Sequence, residues 1–124
     1  NARRQRQMCI RDRLNISDIN SYIQRIPIEI ISLDYYVKKN DIKIIDILKI
    51  DTEGFEFEVL KGLKENFNIV NFIYFEHHYD NMIKKNYTFS DIHDFLKNFG
   101  FVRRFKLKMP FRKSFEYIYQ NVKN

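Results

Sequence analysis

Carboxylate and imidazole side chains follow two apolar runs of this sequence. They are Asp51 and Glu53 after the first run, and Glu76, His77 and His78 after the second. Such groups can deprotonate a hydroxyl, and the carboxylates can also hold a hard divalent metal through their oxygens. Because neighbouring strand residues point to opposite faces, only one of His77 and His78 is expected to face the site. We therefore predict Asp51, Glu53, Glu76 and His77 as catalytic candidates.

Two predicted strands position these side chains. Residues 44–50 and 70–76 are apolar without clean alternation, which is typical of strands buried on both faces of a parallel sheet. Between them, apolar residues recur at helical steps from Phe55 to Asn66, which predicts a helix. The three elements form one βαβ unit, and open parallel sheets bind ligands at the carboxyl ends of their strands. The carboxylates and imidazoles named above lie at the carboxyl ends of the two predicted strands.

Further elements are predicted on both sides of this unit. In chain order they are a strand at Ile28–Leu33, a helix over residues 34–40 capped by Asp34, a helix capped by Ser90 and ended by Gly100, a strand at Phe101–Lys108 and a strand at Phe115–Val122. Phe101, Phe105 and Leu107 are expected on one face of their strand, and the last strand is expected to be antiparallel. The sequence predicts an α/β fold with a mostly parallel sheet and flanking helices.

The net charge of +6 at first suggests an anionic partner such as nucleic acid. Residues 3–13 (RRQRQMCIRDR) carry five Arg and one Asp, however, and the remainder has a net charge of only +2. This run has no hydrophobic period and resembles a translated sequencing adapter. We expect residues 1–13 to be an unstructured artefact and residues 14–124 to be the native part, with the excess charge confined to the run. A nucleic-acid partner is therefore not predicted.

Composition also bears on the cellular location and on cysteine chemistry. No apolar stretch reaches the roughly 20 residues of a membrane span, and no signal peptide opens the sequence, so a cytoplasmic location is expected. Cys9, the single cysteine, lies in the adapter-like run. Without it, disulfides, thiolate chemistry and cysteine-based metal sites are not predicted.

The motifs around the carboxyl end of the first predicted strand resemble those of a known family. Residues 46–56 read DILKIDTEGFE, residues 58–62 read EVLKG, and Phe75-Glu76-His77 follows the next strand. Together with Leu33-Asp34, this pattern resembles the FkbM-type methyltransferases over about residues 28–100. The resemblance implies a class I, Rossmann-like fold that uses S-adenosylmethionine. It also implies O-methylation of a small-molecule or saccharide hydroxyl.

The sequence departs from that family upstream. Family members open with a strand and a glycine-rich turn at the cofactor, whereas this chain has three scattered glycines and no G-x-G. The resemblance implies that the chain begins near the fourth strand of seven. We expect the N-terminal, cofactor-binding half to be missing and the chain alone to be inactive. No cofactor-binding residue or metal ligand is predicted within it, and its oligomeric state is undetermined.

Other interpretations remain open. A non-enzymatic module could bind an anionic partner through the basic cluster between Arg103 and Lys108, although a solvated strand edge would look the same. Another α/β transferase with an acidic metal site would also place acids at strand ends. Among single residues, Asp51 could merely cap a helix, Glu53 could merely complement the helix dipole, and Lys49 is expected to pair with Glu76 or Asp51.

Deleting residues 1–13 should leave the free energy of unfolding unchanged, because an adapter-like run without periodicity contributes nothing to a core. Urea denaturation of the shortened and full chains measures the difference. A loss of more than about 1 kcal/mol, which is large for a surface change, would contradict this prediction.

Overall fold

The parallel pair of strands that the sequence predicts forms one side of a four-stranded sheet. The computed structural model describes residues 26–123. Their elements are α1 (Leu33–Lys39), β1 (Ile45–Ile50), α2 (Glu56–Lys61), a short 3-10 helix (Phe67–Ile69), β2 (Val70–His78), α3 (Phe89–Asn98), β3 (Phe101–Lys108) and β4 (Ser114–Asn121). The predicted run over residues 1–13 lies outside the described residues.

The strand order across the sheet is β1-β2-β4-β3. β1 and β2 are parallel, and α2 connects them, which confirms the predicted strand–helix–strand unit. β4 is antiparallel to both β2 and β3, as expected for the last strand. The result is a mixed α/β structure whose parallel part carries the candidate residues.

One face of the sheet carries the core. Ile73 and Phe75 of β2 and Tyr117 and Tyr119 of β4 are fully buried there, and the Phe75 ring stacks between both tyrosines. All three helices contribute to the same cluster through Val37, Leu60, Ile92 and Leu96. Burial of these apolar side chains is the main stabilising term of the fold. Tyr117 and Tyr119 are thus packing residues.

The opposite face, which we call the open face, is only partly covered. Ile47 of β1 is 65% exposed, and Phe105 of β3 is 59% exposed. The expectation that residues 44–50 are buried on both faces is therefore wrong. β1 pairs only with β2 among the described residues, so one of its edges carries backbone groups without strand partners there.

Several predicted boundaries differ from the structure. No strand forms at Ile28–Leu33, because Ser32 accepts a hydrogen bond from the Tyr35 N–H and starts α1. The Asp34 side chain instead binds the Glu65 N–H and the Asn66 amide. That contact holds α1 against the turn after α2. α2 ends at Lys61 rather than Asn66, with Gly62 as its C-cap and the Gly62 carbonyl accepting the Asp34 N–H.

The later elements show similar shifts. Thr88 rather than Ser90 caps α3, because Thr88 and Asp91 form a reciprocal capping box. β2 extends to His78, two residues beyond the predicted end. In β3 an irregularity between Arg103 and Phe105 places Phe105 on the open face while Phe101 is buried in the core. One extra residue in a strand reverses the faces that follow it, which period counting misses.

Positive charge is not confined to the N-terminal run, which corrects the sequence interpretation. β3, β4 and the residues around them carry seven Lys and Arg residues against one acid, Glu116. The basic residues are Arg103, Arg104, Lys106, Lys108, Arg112, Lys113 and Lys123. Within residues 26–123, no helix is long and apolar enough to cross a membrane.

Replacing Asn121 with Ala should lower the free energy of unfolding by about 2 kcal/mol. The buried Asn121 amide donates to the carbonyls of Phe67 and Val70 at 3.2 and 3.0 Å, and removing it leaves both acceptors without that donor. Urea denaturation measures the change. Asn98→Ala at the exposed end of α3 is the matched control and should stay within about 0.5 kcal/mol. Equal effects of the two variants would contradict the prediction.

Candidate active site at the carboxyl end of the parallel strands

The register of β1 and β2 brings Asp51 and Glu76 to neighbouring positions. Ile50 pairs with Phe75 at the end of the parallel ladder, and Asp51 and Glu76 are the next residues of the two chains. Adjacent strands lie about 4.8 Å apart, so the two acids start from adjacent backbone positions. Asp51 follows the open-face residue Lys49, whose partner across the ladder is Tyr74. The open face therefore carries both acids.

Several carboxylates lie near the hydroxyl of Tyr74. It donates a 2.6 Å hydrogen bond to Glu116, which raises the pKa of Tyr74 to about 12. Burial and the charges of Glu116, Glu76 and Asp51 add smaller contributions in the same direction. Acids from β1, β2 and β4 thus act on one hydroxyl at the open face.

His78 joins the two predicted acids that follow different strands. Its Nε2 atom lies 3.6 Å from Oε1 of Glu76 and 3.9 Å from Oε2 of Glu53. These distances exceed a normal hydrogen bond, and the contacts are ion pairs only when His78 is protonated. Glu76 Oε1 is buried and accepts no hydrogen bond from the described residues.

His77 points to the other face, as the alternation of strand side chains predicts. Its ring packs against Tyr79, Tyr87 and Phe89 at centroid distances of 4.7, 5.9 and 5.7 Å. Burial, with a smaller contribution from Lys85, lowers the pKa of His77 to about 4, so the imidazole is neutral at pH 7. The structure thus brings His78 to Glu53 and Glu76, whereas the predicted candidate His77 lies among aromatic rings.

A cleft of about 1050 Å³ opens beside the two histidines. Its wall is formed by residues 77–81 and 83–90, which connect β2 to α3. Aromatic rings from Tyr79, Tyr87 and Phe89 alternate there with polar and basic groups such as Asn81 and Lys85. Asp51, Glu53 and Glu76 do not line it. His78 is the residue that contacts the acids and also reaches the cleft, which has the size of a metabolite site.

Glu56, which was not among the candidates predicted from the sequence, organises this end of the sheet. Glu56 is buried, and its carboxylate accepts hydrogen bonds from the Thr52 N–H at 3.2 Å and from the Gly54 N–H at 3.1 Å. The hydroxyls of Thr52 and Tyr87 donate to the same carboxylate. Glu56 therefore ties the turn after β1 to the segment before α3. Its place two residues after Gly54 was the available signal, because turn N–H groups need an acceptor.

Gly54 allows that turn to contact the segment after β2. It has a φ of 94°, and a Cβ atom there would lie 2.6 Å from the carbonyl oxygen of Lys84 and 2.7 Å from Ile83. Both the backbone angle and the close approach require glycine. Glu53 also has a positive φ, 49°, and its side chain is the one that reaches toward His78.

Two other expectations concern an ion pair of Lys49 and a metal site. Lys49 does pair with Asp51, at 3.9 Å, but both side chains are more than half exposed, so the pair stabilises the fold by at most about 1 kcal/mol. No group of three or more His, Cys, Asp or Glu side chains in residues 26–123 is arranged to hold a metal ion.

Comparison with known proteins gives one match. The family model described as the methyltransferase FkbM domain matches residues 8–103, more than three quarters of the chain. The match includes β1, α2, β2 and α3 and therefore all the candidate residues. Neither the comparison with curated proteins nor that with solved structures gives a significant match.

Replacing Glu56 with Gln should lower the free energy of unfolding by about 2–3 kcal/mol, because a buried charged acceptor of several hydrogen bonds is lost. Tyr87→Phe should cost about 1–2 kcal/mol, and the double variant should cost less than the sum of the two. Guanidinium denaturation of the unchanged chain, the two single variants and the double variant measures the four free energies of unfolding.

Glu58→Gln is the control, since Glu58 lies on the same helix and pairs with Lys61 at its surface. Its effect should stay within about 0.5 kcal/mol. Equal losses for Glu56→Gln and Glu58→Gln, or strict additivity of Glu56→Gln and Tyr87→Phe, would contradict a shared buried hydrogen-bond network.

Proposed function

Because the chain belongs to the FkbM methyltransferase family, we propose that it forms the acceptor-side part of an S-adenosylmethionine-dependent O-methyltransferase. The observation that carries the proposal is the contact of His78 with Glu53 and Glu76 beside the cleft. Asp51 lies next to Glu76 by register. These groups suit removal of a proton from an acceptor hydroxyl.

The described residues offer no cradle for the cofactor itself. The chain has no G-x-G turn, and Gly54 is occupied by its close approach to Lys84. We therefore propose that a cofactor-binding half completes the domain in a longer protein and lies along the free edge of β1. Two observations support this placement: β1 has one partner strand among residues 26–123, and Ile44, just before β1, and Ile47, within it, are each 65% exposed. Parallel strands normally lie inside a sheet that is covered on both faces.

In the proposed reaction, the acceptor oxygen forms a bond to the methyl carbon while the bond from that carbon to sulfur breaks. S-adenosylmethionine supplies the methyl group when it is bound. The chain's own residues position the acceptor and remove its proton. His78 takes the proton from the hydroxyl, while Glu53 and Glu76 orient the imidazole and stabilise its positive charge. Orientation of the reacting pair supplies much of the rate.

The lining of the cleft favours a polar small molecule or saccharide as the acceptor. Tyr79, which is 48% exposed, offers a ring against which a sugar can pack, and Asn81 and Ser90 offer hydrogen-bonding groups. The cleft volume of about 1050 Å³ exceeds that of a single sugar ring and suits a larger glycoside or a similar metabolite.

In the protein with the complete domain, His78→Asn and Glu76→Gln should each lower kcat on the order of a hundredfold, since each removes part of the general base. Asp51→Asn should lower kcat in the same direction. Steady-state methyl transfer to a saccharide acceptor measures the effect, beside the melting temperature of each variant. Asp46→Asn is the matched control, because Asp46 is an exposed acid at the other end of β1, near Asn71. Near-normal turnover of both His78→Asn and Glu76→Gln would remove these residues from the mechanism.

A further inference from the structure

Charge is distributed unevenly over the described residues. Residues 26–100 contain thirteen Asp and Glu against nine Lys, whereas residues 101–123 contain seven Lys and Arg against one Glu. That acid, Glu116, accepts the hydroxyl of Tyr74 on the open face. The β3–β4 hairpin is therefore a strongly basic projection from an acidic body. Such a field attracts a negatively charged surface.

The tip of this hairpin, residues 108–113, carries an exposed aromatic ring. Phe111 is fully exposed and has a φ of 59°, a backbone angle that bulky side chains rarely adopt. The turn is closed by hydrogen bonds from the Met109 N–H to the Ser114 carbonyl and from the Arg112 N–H to the Met109 carbonyl. The fold thus presents a phenyl ring to solvent at its most basic point, where burial within the described residues gives it no stabilisation.

We propose that this tip binds the surface of an anionic lipid bilayer. Phe111 enters the boundary between headgroups and acyl chains, and Lys108, Arg112 and Lys113 contact the phosphates around it. All three cations are exposed and lie within three residues of Phe111. A protruding apolar side chain surrounded by cations is the pattern of proteins that lie on a membrane without crossing it.

The tip suits a bilayer better than a nucleic acid. Single-stranded nucleic acids bind in grooves where cations follow the backbone and aromatic side chains stack with bases. The exposed aromatic Phe105 lies instead on the open face, which carries Glu76 and Glu116 and would repel phosphates. Phe111 projects from a turn and forms no groove.

The tip is attached to the candidate active site. The Tyr79 N–H donates a 2.8 Å hydrogen bond to the Lys113 carbonyl, and His78 pairs with Ser114 across β2 and β4. A bilayer bound at the tip therefore lies beside the cleft that holds Tyr79. The proposal does not depend on methyl transfer, because it rests on the charge and shape of the hairpin alone.

The test uses the full chain and vesicles of phosphatidylcholine with an equal part of phosphatidylglycerol. The chain should sediment with these vesicles but not with phosphatidylcholine alone, and salt should weaken the binding. Lys113→Gln should lower the affinity about fivefold, the loss of one cation near the surface. Phe111→Ser should lower it about tenfold through the loss of a buried ring. Lys64→Gln, at the opposite end of the sheet near Asn121, and Phe105→Ser, on the open face, should have no effect.

A second measurement locates the contact directly. The chain has no tryptophan, so Phe111→Trp introduces a single fluorescent reporter. Its emission should shift to the blue with anionic vesicles, whereas Phe105→Trp should not respond. Equal binding to phosphatidylcholine alone, no effect of Phe111→Ser, or no shift at Phe111→Trp would each overturn the proposal. Binding to single-stranded RNA that depends on Phe111, without vesicle binding, would overturn it in favour of a nucleic-acid partner.

Discussion

The buried carboxylate of Glu56 joins the turn after β1 to the segment before α3. It accepts the N–H groups of the turn after β1 and the hydroxyl of Tyr87, which precedes α3. The turn carries Glu53, and the Tyr87 segment forms the wall of the cleft. Because the turn's N–H groups would otherwise be buried without an acceptor, this one side chain fixes both sides of the candidate site. The positions of Glu53 and of the aromatic wall relative to His78 follow from it.

A second constraint is that one face of the sheet packs against the core while the other is only partly covered. The core uses one face, where Phe75, Tyr117 and Tyr119 stack, and the open face carries the carboxylates of Glu76 and Glu116. Acids on the core face would have to be paired or neutral, because burying a charge is costly. The strand alternation therefore separates two neighbouring histidines into different roles, with His77 in an aromatic environment and His78 beside acids.

The sequence predicted the parts of this structure that depend on local pattern. The apolar runs predicted β1 and β2, and the helix between them predicted that the two strands are parallel. The strand ends predicted that Asp51 and Glu76 lie next to each other. It could not predict features decided by distant contacts. α2 ends at Gly62, whose carbonyl accepts the N–H of the distant Asp34, and the extra residue in β3 turned Phe105 outward. The choice between His77 and His78 depended on where β2 ends, and strand boundaries are set by pairing with β4 rather than by β2 itself.

The position of β4 has a consequence for how the chain folds. β4 follows β3 in the sequence but lies between β2 and β3 in the sheet. During synthesis, β3 has no partner until β4 emerges, and β2 keeps an open edge for the same time. The pairing of β2 with β4 also closes a long loop, from His78 to Ser114, whose entropic cost must be met before the contacts form. The cleft wall lies within that loop, and its first part, at Tyr79, is joined to the residue before β4 by the hydrogen bond to the Lys113 carbonyl.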